Sequence, residues 1–189
     1  MADPAEILAF WLDELTPKDW YAVEPALDQK IRDLFLADWE AAMEGAHSMW
    51  LTYPSGALAY IILTDQFPRN MFREEGRAFS SDKMALATAK MAINKAWDMK
   101  IDPPARSFFY LPLMHSENAS DQDRCVRLMA ERLPEDSGNL GHAQAHRDVI
   151  RCYGRFPYRN EALGRISSAE ELAYLEEGGY GATLRKLSA

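Results

Sequence analysis

Three prolines recur at nearly equal intervals along this chain, and their surroundings are alike. Pro68 lies in Asp65-Gln66-Phe67-Pro68-Arg69-Asn70, Pro112 in Leu111-Pro112-Leu113-Met114-His115-Ser116-Glu117-Asn118, and Pro157 in Arg155-Phe156-Pro157-Tyr158-Arg159-Asn160. They stand 44 and 45 residues apart. An apolar, mostly helix-periodic segment precedes each, and a polar stretch follows. Then comes a small-residue helix start: Ser80-Ser81-Asp82, Ala119-Ser120-Asp121 and Ser167-Ser168-Ala169. A near-constant period with one helix on either side of a proline break predicts stacked helical hairpins. The expected architecture is all-α, a TPR-like α-solenoid of about eight helices with a period of about 45 residues.

Helical signals run the length of the chain. Asp3-Pro4-Ala5-Glu6 combines a capping residue with proline at the first helical position, and Ile7, Leu8, Trp11 and Leu15 continue it as a stripe. A second helix is expected from Pro25 to Glu44, with Leu27, Ile31, Leu34, Phe35 and Trp39 on one face and Gly45 as its stop. A third starts at Pro54-Ser55 and carries Leu58, Ile61, Ile62 and Asp65 up to the Pro68 break. Ser81-Asp82, Asp102-Pro103-Pro104, Ser120-Asp121, Leu140 and Ser168 open five more, and Gly178-Gly179 closes the last into a tail. No segment alternates with period two between hairpin turns, so no strand is expected.

At 189 residues the chain suits a single domain, 1–189, with a real core. Its 48% apolar and 26% charged residues are ordinary for a globular protein. A net charge of −8 argues against nucleic acid or an anionic membrane as partner, since phosphates need a basic surface. No basic-then-apolar leader opens the sequence, and no apolar run is long enough to span a bilayer. Cys125 and Cys152 lack CxxC spacing and are expected to be free thiols, as in a cytoplasm.

Several helix stripes end in polar residues instead of fading into solvent. Asp65 continues the third stripe at the end of its helix, where the dipole disfavours an anion, so it needs a partner such as Arg69. Phe108, Leu111 and His115 are spaced i, i+3, i+7, and His142, His146, Val149, Tyr153 and Phe156 share another face. If equivalent helices of the repeat stack in parallel, Asp65, Gln66, Arg69 and Asn70 meet His115, Glu117 and Asn118, and also Arg155, Arg159 and Asn160, with His146 as a floor.

Two readings of this cluster stand. In one it is structural: arginines bond helix-end carbonyls, asparagines suit turns, and Asp65 clamps an arginine from the Pro68 or Pro157 turn. In the other it is a pocket for a small anion, a carboxylate or a phosphate, held by Arg69, Arg155 and Arg159, with His115, His146 or Glu117 as acid/base candidates. His142 and His146 form an HxxxH pair, but Ala143 stands where the zincin pattern needs glutamate, so no metal is expected. Glu117 with Asp121 is better explained by a helix cap than by paired-carboxylate chemistry. No nucleophile elbow, phosphate loop or dinucleotide fingerprint is present, and no cofactor is implied.

Asp65-Gln66-Phe67-Pro68-Arg69-Asn70, the run from Pro112 to Glu117 with Asp121-Gln122, and His146-Arg147-Asp148-Val149-Ile150 with Gly154 to Asn160 strongly resemble the bacterial family catalogued as domain of unknown function 924. The tail from Leu163-Gly164-Arg165 to Gly178-Gly179 fits too, so the resemblance covers nearly the whole chain. It implies an all-α fold like the tetratricopeptide-repeat superfamily and no known activity. This chain has Tyr158 where the family pattern has histidine, and His142 where it usually has an aromatic residue. An imidazole at the Pro157 turn is therefore dispensable, and the HxxxH pair is peculiar to this chain. The rival to a ligand pocket is a protein- or peptide-binding adaptor that uses the concave face of a repeat.

Overall fold

In the computed structural model, which describes residues 1–187, every regular element is helical and no strand occurs among the described residues. The chain forms two compact units, Met1–Pro112 and Leu113–Ala189.

The first unit opens with α1 (Pro4–Leu8), whose capping box joins Asp3 and Glu6, and which runs on as a π-helical stretch, Ala9–Glu14. After a 3₁₀ turn at Asp19–Tyr21 comes α2 (Pro25–Met43). It buries Ile31, Phe35, Trp39 and Ala42, while Leu34, expected on the same face, is half exposed. Next, α3 (Pro54–Ile61) passes through a π-helical stretch, Ile62–Gln66, directly into α4 (Phe67–Met71). All of residues 56–68 are buried, so this segment is enclosed on every side and not merely striped. The fourth long helix is α5 (Asp82–Asn94). Helix α2 packs on α4, α1 on α3, and α3 on α5. Aromatic rings fill the centre: Phe35 stacks on Phe67 at 4.7 Å between centroids, and Trp20 meets Phe108 edge-on at 4.9 Å.

A short helix, α6 (Leu111–Met114), follows a 3₁₀ turn at Ala105–Phe109. In the second unit, α7 (Ala119–Arg132) packs on α8 (Asn139–Tyr153). Gly154 ends α8 at φ 69°, the left-handed conformation that glycine adopts without cost. A 3₁₀ turn at Pro157–Arg159 leads to α9 (Ala169–Glu176), capped by a Ser168–Glu171 box, and then to α10 (Gly179–Leu187). Helix α10 packs on α8 and α9. Val149, Ile150 and Phe156 form a small core here, backed by Tyr153 and Tyr174.

The prolines do not all break helices as expected. Each sits instead in the first turn of a short helical segment, and at Pro112 and Pro157 the missing N–H costs nothing there. Pro68 lies inside a continuous helical run. Its ring cannot serve the Thr64 carbonyl one turn back, and the Ser81 hydroxyl donates to that oxygen at 2.6 Å. Ser81 in turn accepts from Trp39 Nε1 at 3.0 Å. Asp65 is therefore not at a helix end. The expected fifth helix is broken into a 3₁₀ turn and α6, so His115 follows a helix instead of continuing a stripe along one. The glycine tail is also a helix: positive φ at Gly178 and Gly179 turns the chain from α9 into α10.

Candidate functional site

The residues singled out in sequence divide between the two units. Asp65, Gln66, Arg69 and Asn70 belong to the first, and His115, Glu117, His146, Arg155, Arg159 and Asn160 to the second.

In the first unit the π-helical stretch carries Asp65, which is fully buried. The Gln66 amide donates to Asp65 Oδ2 at 2.5 Å, and Arg69 Nη1 stands 3.4 Å from Oδ1. Arg69 also bonds the Asp65 carbonyl and reaches Asp82 at 3.0 Å. An arginine from the Pro68 turn thus pairs with the buried carboxylate, as its sequence position predicts. Asn70 looks elsewhere: its amide donates to Asp28 at 2.8 Å, beside the Arg73 guanidinium on the same carboxylate.

In the second unit two arginine–carboxylate forks hold the loop after α8. Arg155 clasps Glu171 with contacts of 2.6 and 2.7 Å and reaches the Ile166 carbonyl at 2.9 Å. These bonds, with those from Ser168 and Asn160, hold the Glu171 carboxyl down at about 2. Arg165 clasps Glu117 at 2.7 and 3.0 Å and bonds the Phe156 carbonyl, while the Phe156 N–H donates to Glu117 at 2.8 Å. Burial alone would raise Glu117, yet Arg165, the Phe156 N–H and the Arg159 charge outweigh it and keep the carboxyl below its ordinary value. Glu117 is thus a tethered carboxylate and not a poised acid. Asn160, almost fully buried, bonds Ser167 and Glu171, and its Oδ1 has no partner.

A different arrangement surrounds Phe156. Arg159, itself buried, lies over that ring at 4.6 Å, and the His146 ring meets it edge-on at 5.4 Å. His115 is 6.3 Å from His146, ring to ring. Tyr180 of α10 packs on His146 at 4.7 Å and hydrogen-bonds His142 through its hydroxyl. Tyr158 stacks on Phe156 at 5.3 Å. The His146 imidazole is pushed down to about 3 by burial first and then by His115, Arg159 and His142, against a smaller opposing effect of its bond to the His142 carbonyl. It is therefore neutral at pH 7. Burial raises the Tyr180 phenol far above its ordinary value, so it remains protonated.

His142 and His146 do share a face, as their i, i+4 spacing requires, but each is bonded within the protein. Among the described residues no group of three His, Cys, Asp or Glu side chains is placed to hold a metal ion. Both cysteines are free, Cys125 buried and Cys152 exposed. Tyr180 was invisible in sequence because the glycines before it read as a helix stop. Glu171 and Arg165 were missed as partners because their clasps close over 16 and 48 residues of chain.

A helical frame with charged clasps and one histidine–arginine corner thus defines the class of molecule. A family model described as bacterial protein of unknown function (DUF924) matches residues 7–179, and the chain belongs to that family. Its structure is similar to that of a protein of unknown function, ATU0120, from Agrobacterium tumefaciens, with 36% identity and a TM-score of 0.87, covering 93% of this chain and 97% of that one. No curated protein matches. No helix among the described residues is long and apolar enough to cross a membrane.

Proposed function

We propose that this protein binds a small anionic molecule, a carboxylate or a phosphate, in its second unit, where His146 and Arg159 flank Phe156 and His115 stands beside His146. The observation that carries this reading is the buried Arg159 guanidinium and the His146 imidazole against the Phe156 ring, with the His115 imidazole beside His146. His115 and Arg159 both disfavour a proton on His146, and an anion beside them would be met favourably. The other residues of the expected cluster are engaged elsewhere in their own units. Arg155 and Glu117 are taken up by Glu171 and Arg165, and Asp65, Gln66, Arg69 and Asn70 serve the first unit's own network. In this reading the arginine that faces the anion is Arg159, which shares the Phe156 ring with His146.

A thermal-shift screen of phosphate, sulfate, citrate and short carboxylates, matched in ionic strength with chloride, tests this directly. At about a hundred times its dissociation constant a ligand adds roughly 2.7 kcal/mol of stability. Arg159→Gln should remove that gain. If nothing raises the melting temperature beyond the chloride effect, the reading fails.

An adaptor for a protein or peptide is the second reading. It is favoured by the apolar side chains of Leu163, Ile166 and Leu172, which lie exposed around the start of α9. Ile166→Asp would abolish capture of such a partner while leaving anion binding unchanged.

A further inference from the structure

A groove in the first unit joins an apolar floor to two carboxylates that no lysine or arginine meets. Glu6, Phe10 and Glu14 stand four residues apart on α1 and its π-helical continuation, and Leu34 and Asp38 stand four apart on α2 with Phe35 between. These side chains line a groove of about 400 Å³, and the rings of Phe10 and Phe35 lie 5.2 Å apart in it. Residues 2 and 3 fix the carboxylates. The Ala2 N–H donates to Asp38 Oδ1 at 2.9 Å, and the Asp3 N–H donates to Glu6 Oε2 at 2.7 Å.

Each carboxylate keeps its second oxygen. Among the described residues nothing bonds Asp38 Oδ2 or Glu6 Oε1, and neither side chain pairs with a lysine or arginine. Only His47 approaches Asp38. Its Nε2 stands 3.7 Å from Oδ1, beyond hydrogen-bond reach, and is buried without a partner. Asp38 is thus a carboxylate 3% exposed, held by one backbone N–H, with its outlet on the groove. A buried anion so placed is short of positive charge. The chemistry that meets it is already present on the same wall, where Lys30 sets its ammonium 5.0 Å from the centroid of Phe10 and 3.1 Å from Glu14. Among the described residues no three His, Cys, Asp or Glu side chains are placed to hold a metal ion, which leaves an organic cation.

We infer that this groove binds a small primary alkylammonium, with the ammonium on Asp38 Oδ2 and Glu6 Oε1 and the alkyl chain along Phe10, Leu34 and Phe35. Its volume is that of a small-molecule site. The net charge of −8 favours the approach of a cation. The groove belongs to Met1–Pro112 and does not depend on the anion reading above.

The test is calorimetry of the full chain at low salt, comparing butylammonium with 1-butanol, its neutral counterpart, and with methylammonium, which lacks the chain. Butylammonium should bind at least about tenfold more tightly than 1-butanol, the value of a charge-assisted hydrogen bond. It should bind about tenfold more tightly than methylammonium, because each fully buried methylene is worth roughly fourfold and this groove is open on one side. In Asp38→Asn, which can still accept from Ala2, the affinity for butylammonium should fall about tenfold. Should that variant fail to fold, Glu6→Gln at the surface decides, with an expected loss of roughly threefold. Equal binding of butylammonium and 1-butanol, or a folded variant that binds butylammonium as the parent does, would overturn the inference. So would tighter binding of N-acetyl-lysine methylamide than of butylammonium, since the seat would then belong to a side chain of a partner protein.

Discussion

The two units treat their polar interiors in opposite ways. In Met1–Pro112 the inward carboxylates face donors: Asp65 meets Gln66 and Arg69, Asp28 meets Asn70 and Arg73, and Asp98 meets the Tyr110 hydroxyl at 2.6 Å. Leu113–Ala189 uses the same device twice, in the Arg155–Glu171 and Arg165–Glu117 forks, but departs from it around Phe156. There His115 and Arg159 disfavour a proton on His146, whose imidazole stays neutral. Buried charges with partners hold a fold's geometry, and their removal is costly because the survivor is stranded. A neutral imidazole held beside a guanidinium and a second imidazole is the feature on which the proposed anion site rests.

That contrast is broken most forcefully at Asp65. Asp65→Ala leaves Arg69 and the Gln66 amide facing an empty site and should cost roughly 3–5 kcal/mol in urea unfolding. A variant that unfolds with the parent would mean that the first unit's network is not structural. Ser81→Ala comes next. It strands the Thr64 carbonyl and the Trp39 indole together, for a loss of about 1–3 kcal/mol.

Acid should act on both devices in different windows. The Glu171 carboxyl falls from its ordinary 4.5 to about 2 on folding, so its contribution is complete above about 4.5 and is lost as pH drops toward 2. His146 is also lowered on folding, from 6.5 to about 3, which means the unfolded chain takes up its proton first. Its penalty therefore begins as pH falls below 6.5 and grows down to about 3. Glu171→Gln should flatten the lower part of the stability profile, and His146→Phe the upper part. The smallest effect belongs to His146→Phe at pH 7, where a change below about 1.5 kcal/mol is expected for a neutral ring replaced by one of similar volume.

Much of this was legible in the sequence, and the failures have a common cause. Capping signals at Asp3 and Ser168 and the glycine stop at Gly45 placed α1, α9 and the end of α2, because these are short-range chemistry. Asp65 stood out because a carboxylate in an apolar stripe must find a partner, and Arg69 was four residues away. Pro68 misled. Whether proline ends a helix depends on who serves the carbonyl behind it, and that group is Ser81, distant in sequence. Tyr180 and the Glu117–Arg165 fork were hidden for the same reason, since long-range pairs leave no local spacing to read. The unusual residues were therefore visible in the sequence, while the arginine–carboxylate clasps that take up several of them were not.

The titration of His146 tests the central claim most directly. Proton and nitrogen NMR of the full chain, with His146→Phe to assign the signal, should show an imidazole still neutral well below pH 6, its proton on Nδ1. A bound anion should raise its pKa by offsetting the charges of His115 and Arg159. An imidazole that titrates near the ordinary 6.5 and ignores every anion would contradict the account, because the corner around Phe156 would then be no different from the clasps that hold the rest of the fold.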